Sequence, residues 1–195
     1  MIMTVFITVM VILVGIPVSA KTTLEPQQSE CLEIAYEEGE KIELYGDTWG
    51  QTVASIAYQE SHCNRSKFQT EGVVVGDRNS KGKPKSLGPM QVQVPTARHV
   101  GRVFPHLFTE RYGDRRPTDE ELTIDLLTDV RFNIRVGVHY YAWLLEYRKG
   151  SWHDAVLSYN RGTGYNLRDI NDYVRLVRKW RKTVVIPHLK RVGVL

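Results

Sequence analysis

Charge is missing altogether from the first twenty residues, MIMTVFITVMVILVGIPVSA, and cysteine is nearly missing from the rest of the chain. An uncharged apolar run that closes on Pro17, Ser19 and Ala20 reads as an export signal over residues 1–20. Because no lysine or arginine precedes it, the alternative is a signal anchor that stays attached. Cys31 and Cys63 are the only cysteines, so no Cys-x-x-Cys pair exists. No two of His62, His99, His106, His139 and His153 take up the helical spacing of a two-histidine metal site around a glutamate. No metal and no cofactor is therefore expected. In an oxidising compartment the two cysteines predict a Cys31–Cys63 disulfide, the alternative being a pair of buried thiols. The bond would close a loop of about thirty residues, worth roughly 3 to 4 kcal/mol in the chain-entropy model. Internal repeats and low-complexity tracts are absent too.

What is present suits one domain: 195 residues, 42% of them hydrophobic. The formal charge of +4 survives removal of the leader, which carries none of the charges. An anionic partner follows from that sign. The basic stretch VRLVRKWRKTVVIPHLKR would suit nucleic acid, but an exported chain meets little of it, so steering toward an anionic wall or membrane surface is the expected use.

Residues 21–30 are polar and read as a linker. From Asp47, the stretch DTWGQTVASIAYQE places Trp49, Val53, Ile56, Ala57 and Glu60 at helical spacings, with Asp47 or Thr48 as the cap. Glu60 thus falls at the margin of an apolar face, where desolvation raises a carboxyl pKa. Residues 70–86 combine β-branched residues with turn formers and predict a hairpin flap, the only β structure expected, with its lysines as a solvated face. Residues 118–150 read as one long central helix that opens on a Thr118–Glu121 capping box and buries Leu122, Ile124, Leu127, Val130, Ile134, Val138, Tyr141 and Leu145. Gly137 inside it signals a close approach of backbone or ligand. A short helix follows from Ser151, and a last amphipathic one buries Ile170, Tyr173, Val174 and Val177. The fold class is mainly α, an α+β chain with one β excursion.

Four blocks stand in order: Glu60-Ser61; Ser86, Gly88, Met90 and Gln91; Asn133 and Gly137; and Tyr159, Asn160 and Gly162. Together they resemble the soluble lytic transglycosylase family, which shares its fold with goose-type lysozyme and cleaves peptidoglycan. The resemblance covers residues 31 to about 182. It departs from the family pattern in a longer Glu60–Ser86 gap and in Pro89, where a small or aliphatic residue is common.

The resemblance implies a lysozyme-like fold with a catalytic domain over residues 31–185 and a tail over 186–195. It implies a monomer, exported to the periplasm or secreted, acting on glycan strands. Glu60 would be the single catalytic acid and base, forming a 1,6-anhydro sugar. Ser86, Met90, Gln91, Tyr159 and Asn160 would bind substrate, with Met90 beneath the sugar floor and Tyr159 hydrogen-bonded to Glu60. Ser61 and Asn133 would be supports. A second carboxylate opposite Glu60, with Asp77, Glu71 and Asp114 as candidates, would make the enzyme a hydrolase instead. A wall-binding module that has lost catalysis is the non-enzymatic alternative. A compact enzyme of this kind suits recruitment by a larger secretion, conjugation or phage machine.

Overall fold

The computed structural model describes residues 24–65, 69–70, 72–78, 80–164 and 172–195. The expected signal over 1–20, Glu71 and Ile170 lie outside these residues. No helix among the described residues is long and apolar enough to cross a membrane.

Helix α1, Pro26–Glu40, takes in the second half of the expected linker. Pro26 occupies the first turn, where its missing N–H costs nothing, and Gln28 and Glu25 close a capping box. A hairpin that the sequence reading missed follows, β1 Glu43–Leu44 against β2 Asp47–Thr48. Its turn places Tyr45 and Gly46 both at positive φ, 58° and 74°, the backbone twist that favours two-residue hairpins. The strands being two residues long, no period of alternation could announce them.

Helix α2, Gly50–Ser61, comes next. Neither Asp47 nor Thr48 caps it, because both are in β2; instead Glu40 reaches over from α1 and accepts from the Gly50 N–H at 3.1 Å. Val53, Ala54, Ile56 and Ala57 are fully buried on it, so α2 is the core helix on which α1, α6 and α8 pack. The flap is a second hairpin, β3 Gln69–Thr70 with β4 Val73–Val74, extended by single bridges from Val75 to Leu87 and from Arg78 to Pro84.

Helices α3 (Val94–Val103) and α4 (Pro105–Tyr112) follow. The expected long helix is two, α5 Asp119–Thr128 and α6 Val130–Tyr147. Asp129 breaks it, with extended backbone and a carboxylate that accepts from the Phe132 N–H at 2.9 Å, which makes it the N-cap of α6. Ile124 is 59% exposed, against the expectation that it is buried, because two residues from Leu122 it falls on the opposite side of α5 from the buried Leu122 and Leu126. The Thr118–Glu121 box is present in both directions, at 3.1 and 2.8 Å. Helix α7 spans Trp152–Arg161 and α8 spans Asp172–Trp180. A π-helical turn, Arg181–Val185, leads into α9, Ile186–Arg191, which lies within the 186–195 tail. His188 is buried there and bonds Glu33 and Ser29 of α1.

Candidate active site

Glu60 sits at the end of α2, and that end is tied down from several directions. His62 N–H donates to the Tyr58 carbonyl at 2.8 Å with His62 itself left-handed, the αL stop of a helix, and Cys63 N–H reaches back to Ala57 at 3.2 Å. His62, Cys63 and Asn64 all hold φ between 52° and 64°, a left-handed run that costs non-glycine residues free energy and persists only where neighbours enforce it. Three contacts do so. The Cys31–Cys63 disulfide joins the segment to α1 with Cα atoms 5.6 Å apart. Gln28, buried on α1, donates to the His62 carbonyl at 2.7 Å. Ser61 accepts from the Asn64 N–H at 3.1 Å and donates to the Pro89 carbonyl at 2.8 Å.

The last bond leads to the Ser86–Val92 turn. Asn133, fully buried on α6, fixes it: its side-chain oxygen accepts from Met90 N–H at 2.9 Å, and its amide donates to the Leu87 and Leu126 carbonyls at 2.8 and 2.9 Å. Gly88, at φ 65°, passes so close that a β-carbon there would lie 2.5 Å from the Asn133 amide nitrogen. One turn along α6, a β-carbon on Gly137 would lie 2.8 Å from Met90. The close approach signalled by Gly137 is therefore to Met90, which is itself fully buried and supports the turn from beneath.

Two tyrosines reach this region. Tyr159 donates to the Met90 carbonyl at 3.0 Å, not to Glu60 as expected, since its single hydroxyl proton is committed to the turn. Tyr173 of α8 is the residue whose hydroxyl donates to the Glu60 carboxylate. Its position on the buried stripe was legible, but its role was not. The available signal was that a tyrosine on an apolar stripe carries a hydroxyl that needs a buried partner.

Glu60 is half-buried, and its pKa is pushed up to about 7, chiefly by burial. The Tyr173 hydrogen bond pulls it down, and the negative charge of Asp77 on the flap adds to the rise. Both tyrosine phenols are held far above their ordinary value by burial, next by the Glu60 charge, so they act as neutral donors. Gln59, beside Glu60, accepts from the Trp180 indole at 2.7 Å, which adds a second tie from α8.

Gln91, Tyr159 and Asn160 line one pocket of about 270 Å³, together with Thr96, Tyr140 and Gly162. Gln91 is partly exposed, at φ 50°, and donates to the Gly88 carbonyl at 2.9 Å. Ser86 is buried at the base of the flap, its carbonyl accepting from Gly76 N–H at 2.9 Å. Asp114 lines a separate depression with Arg98, Arg102 and Arg115. A wider depression, about 870 Å³, lies around Trp49, Trp152 and Arg181 at the other end of α2 and contains none of the four motif blocks. No group of three or more histidine, cysteine or carboxylate side chains suited to a metal occurs among the described residues.

The arrangement is one proton-holding carboxyl, two neutral phenols and a rigid backbone turn beside a polar pocket. Residues 40–179 match the family model of the transglycosylase SLT domain. None of the curated proteins compared with the chain matches it.

Proposed function

The chain belongs to the transglycosylase SLT domain family, and from that premise we propose that it is a lytic transglycosylase which cleaves the β-1,4 bond between N-acetylmuramic acid and N-acetylglucosamine. The observation that carries this reading is the raised pKa of Glu60 beside a neutral phenol. A carboxyl that titrates near 7 can give a proton and take it back at neutral pH.

In the proposed reaction, protonated Glu60 donates to the glycosidic oxygen and the bond from that oxygen to the anomeric carbon breaks. The substrate's own 2-acetamido oxygen shares the positive charge left on that carbon. Ionised Glu60 then removes the proton from the 6-hydroxyl, whose oxygen bonds to the anomeric carbon and closes the 1,6-anhydro ring. No water is consumed, and Glu60 ends protonated, as it began. Tyr173 fixes the carboxyl's direction and Asn133 holds the turn. Gln91 and Asn160 offer amides to the sugar, while Ser86 and Met90 shape the floor from below.

Export places the enzyme outside the cytoplasm, where its substrate is, and the positive net charge favours the anionic wall. One specific observation favours a second reading: Asp77 is close enough for its charge to raise the Glu60 pKa, and a carboxylate so placed could activate water for hydrolysis.

Digestion of purified peptidoglycan, with the released muropeptides weighed, separates the two. We expect products one water lighter than reducing-end sugars, lost with Glu60→Gln and kept with Asp77→Asn. Reducing-end products that vanish with Asp77→Asn would establish the hydrolase.

A further inference from the structure

The depression at the far end of α2 plays no part in the proposed reaction. Its walls include Tyr36, Trp49, Trp152 and Ile186, and its cations are Arg178, Arg181 and Lys182. Spacings of three and four gather those cations on one side of the chain, where α8 passes into the π turn. A π turn is a geometry that recurs at functional sites. The three come from the basic stretch VRLVRKWRKTVVIPHLKR, which contains no acidic residue and which the reaction leaves unused.

Two features set this depression apart from a gap in packing. The first is that its cations lack counter-ions. Arg98, Arg111, Arg131 and Arg135 each reach a carboxylate oxygen, whereas among the described residues Arg178, Arg181 and Lys182 reach none. Glu40 and Asp47 line the same depression, yet they are engaged elsewhere: Glu40 accepts from the Gly50 N–H and the Thr48 hydroxyl, and Asp47 from the Thr48 N–H. Arg178 lies 4.9 Å over the Trp152 ring, an arrangement that leaves the in-plane guanidinium donors available. Arg181 gives one donor to Gln51, at 2.9 Å, and Lys182 is exposed. Like charges gathered this way repel one another until an anion joins them.

The second feature is that the aromatic walls have no polar atoms to offer. The Trp49 indole donates to the Leu44 carbonyl at 3.3 Å and the Trp152 indole to Thr52 at 3.1 Å. What remains is apolar contact from the walls and charge from Arg178, Arg181 and Lys182. Tryptophan, tyrosine and arginine together are the residues that dominate binding at protein interfaces.

We infer that this depression is a docking site for an acidic segment of a partner protein, in which carboxylates flank an aromatic or aliphatic side chain. The apolar side chain enters between the walls, and the carboxylates accept charge-assisted hydrogen bonds from Arg178, Arg181 and Lys182. Three unpaired cations select an acidic occupant over a neutral glycan, and a concave apolar wall selects a side chain over the flat surface of a bilayer. Helix α2 runs from Gln51, in this depression, to Glu60, nine residues or about 14 Å away. A docked partner therefore holds the enzyme while leaving its carboxyl open to substrate.

The test probes the full chain with an array of synthetic hexapeptides varied at every position. The parent should select peptides that combine acidic residues with an aromatic or aliphatic one, and Arg178→Gln with Lys182→Gln should lose that selection. For one selected peptide, fluorescence anisotropy should show affinity falling by about five- to tenfold in the double variant and falling with added salt. Both side chains are exposed, so the fold survives, as circular dichroism checks, and peptidoglycan digestion stays at the parent's rate. Absence of selection, selection without acidic residues, or the same selection by the double variant would overturn the docking site. Two further probes name the rival occupants. If vesicles of phosphatidylglycerol bind the parent but not the double variant while no peptide does, the face belongs to a membrane. If a wall stem peptide displaces the selected peptide at equal concentration, the face belongs to the wall. None of these outcomes bears on the reaction, which the muropeptide masses judge separately.

Discussion

Burial disfavours only the ionised form of a carboxyl, so Glu60 couples stability to pH. Its folded pKa of about 7 lies above the ordinary value of 4.5. Between these values the folded state holds a proton that the unfolded state has lost, and stability therefore falls as pH rises through that window and levels off above it. The difference amounts to roughly 3 kcal/mol. Glu60→Gln, which abolishes this titration, should melt several degrees higher than the parent at pH 8 and at the same temperature near pH 4; scanning calorimetry at the two pH values checks it. In catalysis the same pKa predicts a rate that declines above pH 7 as the acid form is lost. Tyr173→Phe removes a bond that favours the ionised form. It should move that decline to higher pH and lower the maximum rate by roughly tenfold, as a pH–rate profile would show. The position of Glu60 was legible because helical spacing depends only on nearby residues. Its hydrogen-bond partner was not, because a contact between residues 60 and 173 is made by helix packing that no local pattern encodes. Tyr159 was the reasonable reading from motif order, and the geometry gives its proton to Met90 instead.

Elements tell a similar story one level up. Helix types were legible where apolar spacing ran long, as in α2 and α6, and the Thr118–Glu121 box marked the start of α5. The break at Asp129 was hidden, because an aspartate inside an apolar period looks like one polar position rather than a cap. The hairpin at Tyr45–Gly46 was hidden because two-residue strands show no alternation, and the use of Glu40 to cap α2 was hidden for the same reason as the Tyr173 contact. The link from α6 to the Ser86–Val92 turn carries a prediction of its own. Asn133→Leu would strand the Met90 N–H and two carbonyls without partners, at about 3 kcal/mol or more. Gly137→Ala would press a methyl group into Met90, at about 1 to 3 kcal/mol. Chemical denaturation measures both, and Gly137→Ala should also lower activity at temperatures where the fold is intact, because Met90 carries the turn.

At the scale of the molecule, α1 lies almost wholly ahead of residues 40–179, which match the family model, yet it supplies Cys31, Gln28 and Glu40 to the helix that bears Glu60. Reducing the disulfide should therefore cost about 2 to 5 kcal/mol of stability. It should also release the left-handed segment behind Glu60, so that activity falls under reductant before the chain unfolds. Enzyme assays run beside circular dichroism would register that order of events. The packing of α1, α2 and α8 converges on one quantity, the proton affinity of a single carboxyl. The direct measurement is a carbon NMR titration of the Glu60 carboxyl, assigned by its absence in Glu60→Gln. The account predicts a midpoint near 7, rising further in Tyr173→Phe; a midpoint near 4.5 that ignores Tyr173 would contradict it.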